Sequence, residues 1–98
     1  MKSTIEELTA FVSIVDSGSI VKAAQQLDQT TSGVSRALQR LELKLNVTLL
    51  ERTTRKLKLT YEGQQFLAKA RKILLDLTEA EESLQNNDAE SSGLIRID

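Results

Sequence analysis

Apolar residues return at helical spacing along most of this chain. Ile5, Leu8, Val12 and Val15, with Phe11 beside them, predict an amphipathic helix over residues 4–16. Thr4 is its N-cap, and Glu6 and Glu7 occupy the first turn, where the helix dipole favours anions. Ser17-Gly18-Ser19 interrupts the pattern. Ser19 then caps a second helix in which Ile20, Ala23, Ala24 and Leu27 recur at i, i+3, i+4 and i+7. The two alanines leave room for another helix axis to approach closely. After a short turn, Asp28 to Thr30, a third helix places Val34, Leu38, Leu41 and Leu45 within about 60° of one another on the helical wheel. Ser32, Arg36, Gln39, Arg40 and Leu43 point the other way. Asn46 tolerates the left-handed backbone that ends such a helix.

The pattern changes from Leu49 to Leu59. Two short apolar segments, Leu49-Leu50 and Leu57-x-Leu59, flank Thr53-Thr54-Arg55-Lys56 and predict a small β-hairpin with a basic tip. Thr60 then caps a long helix running to about Asn86. Within it Gly63, Phe66, Ala70, Ile73, Leu77, Ala80 and Leu84 keep alternating spacings of three and four, with Leu67 and Leu74 widening the stripe. Such a strict heptad is a pairing seam. A helix of about 25 residues extends ~37 Å, farther than a core this small covers, so self-association is expected through Phe66, Leu67, Ala70, Ile73, Leu74, Leu77, Ala80 and Leu84. The polar run Asn86 to Gly93 predicts a linker, and Leu94-Ile95-Arg96-Ile97-Asp98 alternates like a strand without a partner. An orphan strand suggests a longer protein cut where a second domain starts. The expected organisation is a domain over 1–60, a dimerisation helix over 61–87, and a hinge with a first strand over 88–98.

Composition narrows the chemistry. The 98 residues include neither cysteine nor histidine, which removes disulfides, thiolate metal sites and the commonest general base. No convergent carboxylate cluster stands out, and Glu79-x-Glu81-Glu82 reads as a solvated helix face, so neither an enzyme nor a metal site is expected. No apolar run approaches the ~20 residues of a membrane span, and a signal-peptide core is missing, which makes the cytoplasm the expected location. The net charge of −1 conceals an asymmetry. Residues 1–72 carry 12 Lys/Arg against 7 Asp/Glu, whereas residues 73–98 carry only Arg96 against seven acids. Fields are local on the ~10 Å scale of the Debye length, so the first three-quarters can bind a polyanion although the total is acidic.

Three short helices, the last two joined by a tight turn, followed by a basic hairpin form the plan of a mainly α winged helix-turn-helix. Its third helix enters the DNA major groove and its wing lies along the backbone or minor groove. Thr30, Thr31, Ser32 and Ser35 are small donors and acceptors at the start of that helix, and its free N–H groups favour phosphate. Arg36 and Arg40 share an exposed face, one turn apart. Arg36 suits either a guanine edge or a phosphate, and both arginines are also compatible with solvated surface charge. The rival reading is a helical, dimeric protein-interaction module that touches no DNA.

The stretch from Leu8 to Leu67 resembles the DNA-binding domain of LysR-type transcriptional regulators. The resemblance rests on Phe11 and the valines of the first helix, Gly18-Ser19 followed by Ala23-Ala24, and Leu27. Val34-Ser35, Leu41-Glu42, Leu49, Arg52 and Leu59-Thr60 with Gly63 follow in order. It implies a winged helix-turn-helix with a long linker helix through which two chains dimerise. It further implies sequence-specific binding of double-stranded DNA at pseudo-palindromic promoter sites, as dimers or tetramers, with RNA polymerase as a further partner. A small-molecule co-inducer would bind a C-terminal domain outside this sequence, leaving no cofactor for the present residues. By position, Ser19, Thr30, Thr31, Ser32, Ser35, Arg36, Gln39 and Arg40 fall on the DNA-facing helices, and Arg52, Thr54, Arg55 and Lys56 in the wing. Five positions depart from the usual pattern: Thr31-Ser32 replaces Gln-Pro, Gly33 an alanine, Asn46 a glycine and Leu50 a phenylalanine. Losing Gln removes a side chain able to grip adenine through two hydrogen bonds. The glycine costs roughly 0.5–1 kcal/mol of helix propensity.

Overall fold

Every helix starts on a hydroxyl side chain, among the residues that the computed structural model describes, 4–52 and 57–90. Thr4 caps α1 (Ile5–Ser17), Ser19 caps α2 (Ile20–Leu27), and Thr30 caps α3 (Thr31–Leu45). Two short strands follow, β1 (Leu50–Arg52) and β2 (Leu57–Leu59), and then the long α4 (Tyr61–Glu90), where the Thr60 hydroxyl accepts from Gly63 N at 2.9 Å. The first three helices each stop at a left-handed residue: Gly18 (φ 80°), Asp28 (φ 56°) and Asn46 (φ 57°). Asp and Asn reach that conformation more readily than other non-glycine residues. Asn46 therefore fills the position expected of it, while the role of Asp28 as a helix stop went unpredicted.

α1, α2 and α3 pack around one core of Leu8, Phe11, Ile14, Ala23, Ala24, Val34, Leu38 and Leu41. Ala23 and Ala24 are both buried, as close helix approach requires. The stripe of α1 differs from the predicted one. Its buried residues are Glu7, Leu8, Ala10, Phe11 and Ile14, whereas Val12 and Val15 are half-buried and Ile5 lies at the surface. The helix is thus turned by roughly 90° from the face its large aliphatics suggested. Two neighbours explain the turn: α4 packs on α1 beside α2 and α3, and cations on α3 neutralise Glu7.

The hairpin is antiparallel, pairing Leu50 with Leu59 and Arg52 with Leu57. Its tip, Thr53 to Lys56, lies outside the described residues, and so does the expected strand Leu94 to Asp98. Leu49 ties the hairpin to α4. Its carbonyl accepts from Thr60 N at 3.0 Å, and a Cβ on Gly63 would lie 2.1 Å from the same oxygen. Gly63 is therefore required for close backbone approach rather than being a spare member of the heptad.

Two expectations for α4 change. The helix continues to Glu90, so Asn86 to Glu90 are helical rather than linker; that stretch contains no proline or glycine to stop it. The heptad also does not form one seam. Ala70 is fully enclosed by its own chain and offers no surface to a second copy. Phe66, Leu67 and Leu74 pack partly against the same core, Phe66 with its ring centroid 5.9 Å from that of Phe11. An ion pair between Arg71 and Asp16, at 2.5 Å, also spans α4 and α1 at the surface. Ile73, Leu77 and Leu84 remain exposed by 45%, 39% and 67%, together with Ala80.

Candidate nucleic-acid interface

The helix-turn-helix is built by two caps set back to back. The Asp28 and Gln29 N–H groups close the end of α2, Gln29 N donating to the Ala24 carbonyl at 2.9 Å. One residue later Thr30 opens α3, its hydroxyl accepting from Gly33 N at 2.9 Å. A Cβ at Gly33 would lie 3.0 Å from that hydroxyl, so the glycine leaves room for the cap and offsets part of its propensity cost. The N–H groups of Thr31 and Ser32, the first two positions of the helix, have no intrahelical acceptor. They point out of an exposed helix start, flanked by their own hydroxyls and by exposed Thr30. An anion is the natural complement to such an end.

Arg36 and Gln39 lie exposed farther along the same face. Ser35 is half-buried and accepts a hydrogen bond at 3.0 Å from Arg52 Nη2 at the end of β1. Two residues expected to meet DNA separately are thus joined, and the wing is braced against α3. Glu42 supplies the other brace. One of its carboxylate oxygens accepts from Leu49 N at 2.8 Å and Leu50 N at 3.2 Å, fixing where β1 begins. Ser19 acts in the structure as the cap of α2, accepting from Lys22 N at 3.1 Å.

Arg40 has a partner within the protein. Its Nε donates to Glu7 Oε2 on α1 at 3.2 Å, and Lys44 Nζ reaches the same oxygen at 2.8 Å. Glu7 also belongs to a capping box: its backbone N–H donates to the Thr4 hydroxyl, while its Oε1 accepts from Thr4 N at 3.3 Å. Burial pushes the Glu7 carboxyl up. The hydrogen bonds from Lys44, Thr4 N and Arg40, with the charge of Lys44, outweigh that and hold it below the ordinary carboxylate range. Thr4-x-x-Glu7 is legible in the sequence as a capping box, but not its burial or its cation partners, which come from a helix more than thirty residues away. Thr54, Arg55 and Lys56 lie outside the described residues. Among the described residues, no group of His, Cys, Asp or Glu is placed to hold a metal, and no helix is long and apolar enough to cross a membrane.

Residues 5–64 match the family described as bacterial regulatory helix-turn-helix protein, lysR family. The chain is 47% identical over its whole length to the HTH-type transcriptional regulator CrgA of Neisseria meningitidis serogroup C (strain 8013), of which it covers 33%. It therefore spans about one third of such a relative. Among solved structures it resembles the BenM DNA-binding domain in complex with catB site 1 DNA, at a TM-score of 0.79 and 35% identity, covering 91% of this chain and 99% of that one. Full-length CbnR complexed with its target DNA superposes at a TM-score of 0.76 and 32% identity, over 84% of this chain and 28% of that one. By the match over residues 5–64 and the likeness along its whole length, the chain belongs to the LysR family of bacterial helix-turn-helix transcriptional regulators, a non-enzymatic family.

Proposed function

We propose that this domain binds double-stranded DNA by inserting the N-terminal end of α3 into the major groove, with the wing against the flanking backbone. The observation that carries the reading is the start of α3: two N–H groups without an intrahelical acceptor, the Thr31 and Ser32 hydroxyls, and Arg36 lie on one exposed face, braced by Arg52 through Ser35. Thr31 and Ser32 position the helix on phosphate, and Arg36 takes a guanine edge or a further phosphate. Thr30, Gln39 and the wing residues Arg52, Thr54, Arg55 and Lys56 complete the surface.

Two copies pair through the exposed half of α4, along Ile73, Leu77, Ala80 and Leu84, so that two α3 helices meet a pseudo-palindromic promoter site. The proposal extends to a small-molecule co-inducer taken by a C-terminal domain, to tetramer formation, to contact with RNA polymerase and to a cytoplasmic setting, and the likeness to LysR-family regulators is what supports it.

Fluorescence anisotropy with promoter duplexes across a salt series tests the reading. Affinity is expected to fall with a log–log slope of about −0.9 per phosphate neutralised. Arg36→Ala is expected to lose specific binding while its thermal melt stays unchanged. Salt-insensitive binding, or an Arg36→Ala protein with undiminished operator affinity, removes this face from the function.

A further inference from the structure

Three cations lie along α3: Arg36, Arg40 and Lys44. The structure treats them differently. Arg36 is exposed with no acidic partner among the described residues, whereas Arg40 and Lys44 converge on one oxygen of Glu7, a carboxylate with 2% of its side chain exposed. We propose that Glu7 is a positioning residue for DNA reading. It clasps α3 through Arg40 and Lys44 and withdraws Arg40 from the set of cations that neutralise phosphate. The inference rests on the DNA-binding reading above and assigns Arg40 a different role within it.

Three observations support it. First, Arg40 stands about 100° around α3 from its neighbour Gln39, on the side from which Glu7 of α1 reaches it. Second, its Nε, the nitrogen nearest the stem, is the one engaged by Glu7, which draws the stem toward α1. Third, the second carboxylate oxygen of Glu7 is held by Thr4 N, so the carboxylate cannot rotate away without breaking the capping box. Glu7 thus fixes the start of α1 and the second half of α3 together. Since a buried carboxylate and two cations leave one net positive charge, the clasp also lowers the non-specific attraction that α3 exerts on any polyanion.

The consequence is a separation of tasks along one helix: its first turns read, its later turns hold. A salt series on a duplex counts the phosphates neutralised. Arg40→Ala keeps the Lys44–Glu7 pair and is expected to keep the wild-type slope. Glu7→Gln releases both cations and is expected to steepen the slope by about 0.9 for each one that turns to phosphate, with a lower ratio of specific to non-specific affinity. Adding Arg40→Ala to Glu7→Gln is expected to take back one such step.

A slope shallower by about 0.9 in Arg40→Ala alone places Arg40 on a phosphate and overturns the proposal, as does a wild-type slope in folded Glu7→Gln. Where Glu7→Gln fails to fold, Arg40→Ala decides. A readout without DNA separates this inference from the functional reading: in nitrogen-15 spectra of the free protein, Arg40 Nε–H is expected to exchange with water more slowly than Arg36 Nε–H. Equal exchange overturns the clasp. Wild-type protein that binds no duplex overturns the functional reading, with the exchange rates still deciding the clasp.

Discussion

The two halves of α4 carry one unbroken apolar repeat and meet different surroundings. In the first half Gly63 touches the backbone at Leu49, Phe66 lies against Phe11, Ala70 is enclosed, and Arg71 pairs with Asp16. In the second half Ile73, Leu77 and Leu84 repeat the same spacing and face outward. A heptad therefore records that a face is apolar, not what covers it. The side chains follow that division. Gly63 and Ala70 are small where the helix axis comes closest to its own domain, with Phe66 and Leu67 packed on the core beside them, whereas Ile73, Leu77, Ala80 and Leu84 are exposed.

Substitutions of similar chemistry in the two halves give the sharpest break of this contrast. Ala70→Asp, which buries a carboxylate without a partner, is expected to cost roughly 3 kcal/mol or more and to unfold the domain at ambient temperature. Ile73→Asp, one turn away, is expected to leave the melt of the three-helix core nearly unchanged while sedimentation shows monomers. Equal effects at the two positions would merge the halves into one role. Next in size is Gly63→Ala. Its methyl meets a carbonyl at 2.1 Å, and the shift required is expected to cost about 1–3 kcal/mol in urea unfolding; an unchanged midpoint removes the close approach.

Glu7→Gln tests whether the first half rests on a firmly held α1. A loss of roughly 1–3 kcal/mol is expected from weakened charge-assisted hydrogen bonds. The pH dependence has a definite sign. Because the folded carboxyl titrates below the ordinary range, its stabilisation is present above the unfolded value, ~4.3 for glutamate, and disappears as pH falls through the lower folded value. Acid unfolding of wild type is expected to include a contribution that Glu7→Gln lacks; superimposable acid limbs would rule out a depressed carboxyl. Arg71→Ala is the smallest change. Both partners of its ion pair are 48% exposed, so a loss of 0 to about 1 kcal/mol is expected. A larger loss would mean that this pair, rather than apolar packing, fastens α4.

Local chemistry was legible in advance. Thr4, Ser19, Thr30 and Thr60 were readable as caps because a hydroxyl and the N–H three residues on need no distant neighbour. The α3 stripe of Val34, Leu38 and Leu41 was readable because apolar and charged faces are cleanly separated there. On α1 the spacing of large aliphatics points to the face with Ile5, Val12 and Val15, because apolar residues occupy more than half its circumference and periodicity cannot rank them. Arg40 looked equivalent to Arg36 because both are exposed arginines on one helix, and only α1 distinguishes them.

By itself, then, the sequence determined four helices, their start points, the hairpin and the exposed, hydroxyl-rich start of α3, and its register of motifs identified the family. Each of these depends on residues within a few positions of one another or on their order along the chain. The tertiary structure alone decided that Glu7 is buried and claims Arg40 and Lys44, that Glu42 and Ser35 brace the wing, and that Ala70 belongs to the core rather than to a seam. The hydrogen bonds behind those assignments join residues seven to thirty-seven positions apart. A charge or an alanine acquires its meaning there from what packs against it.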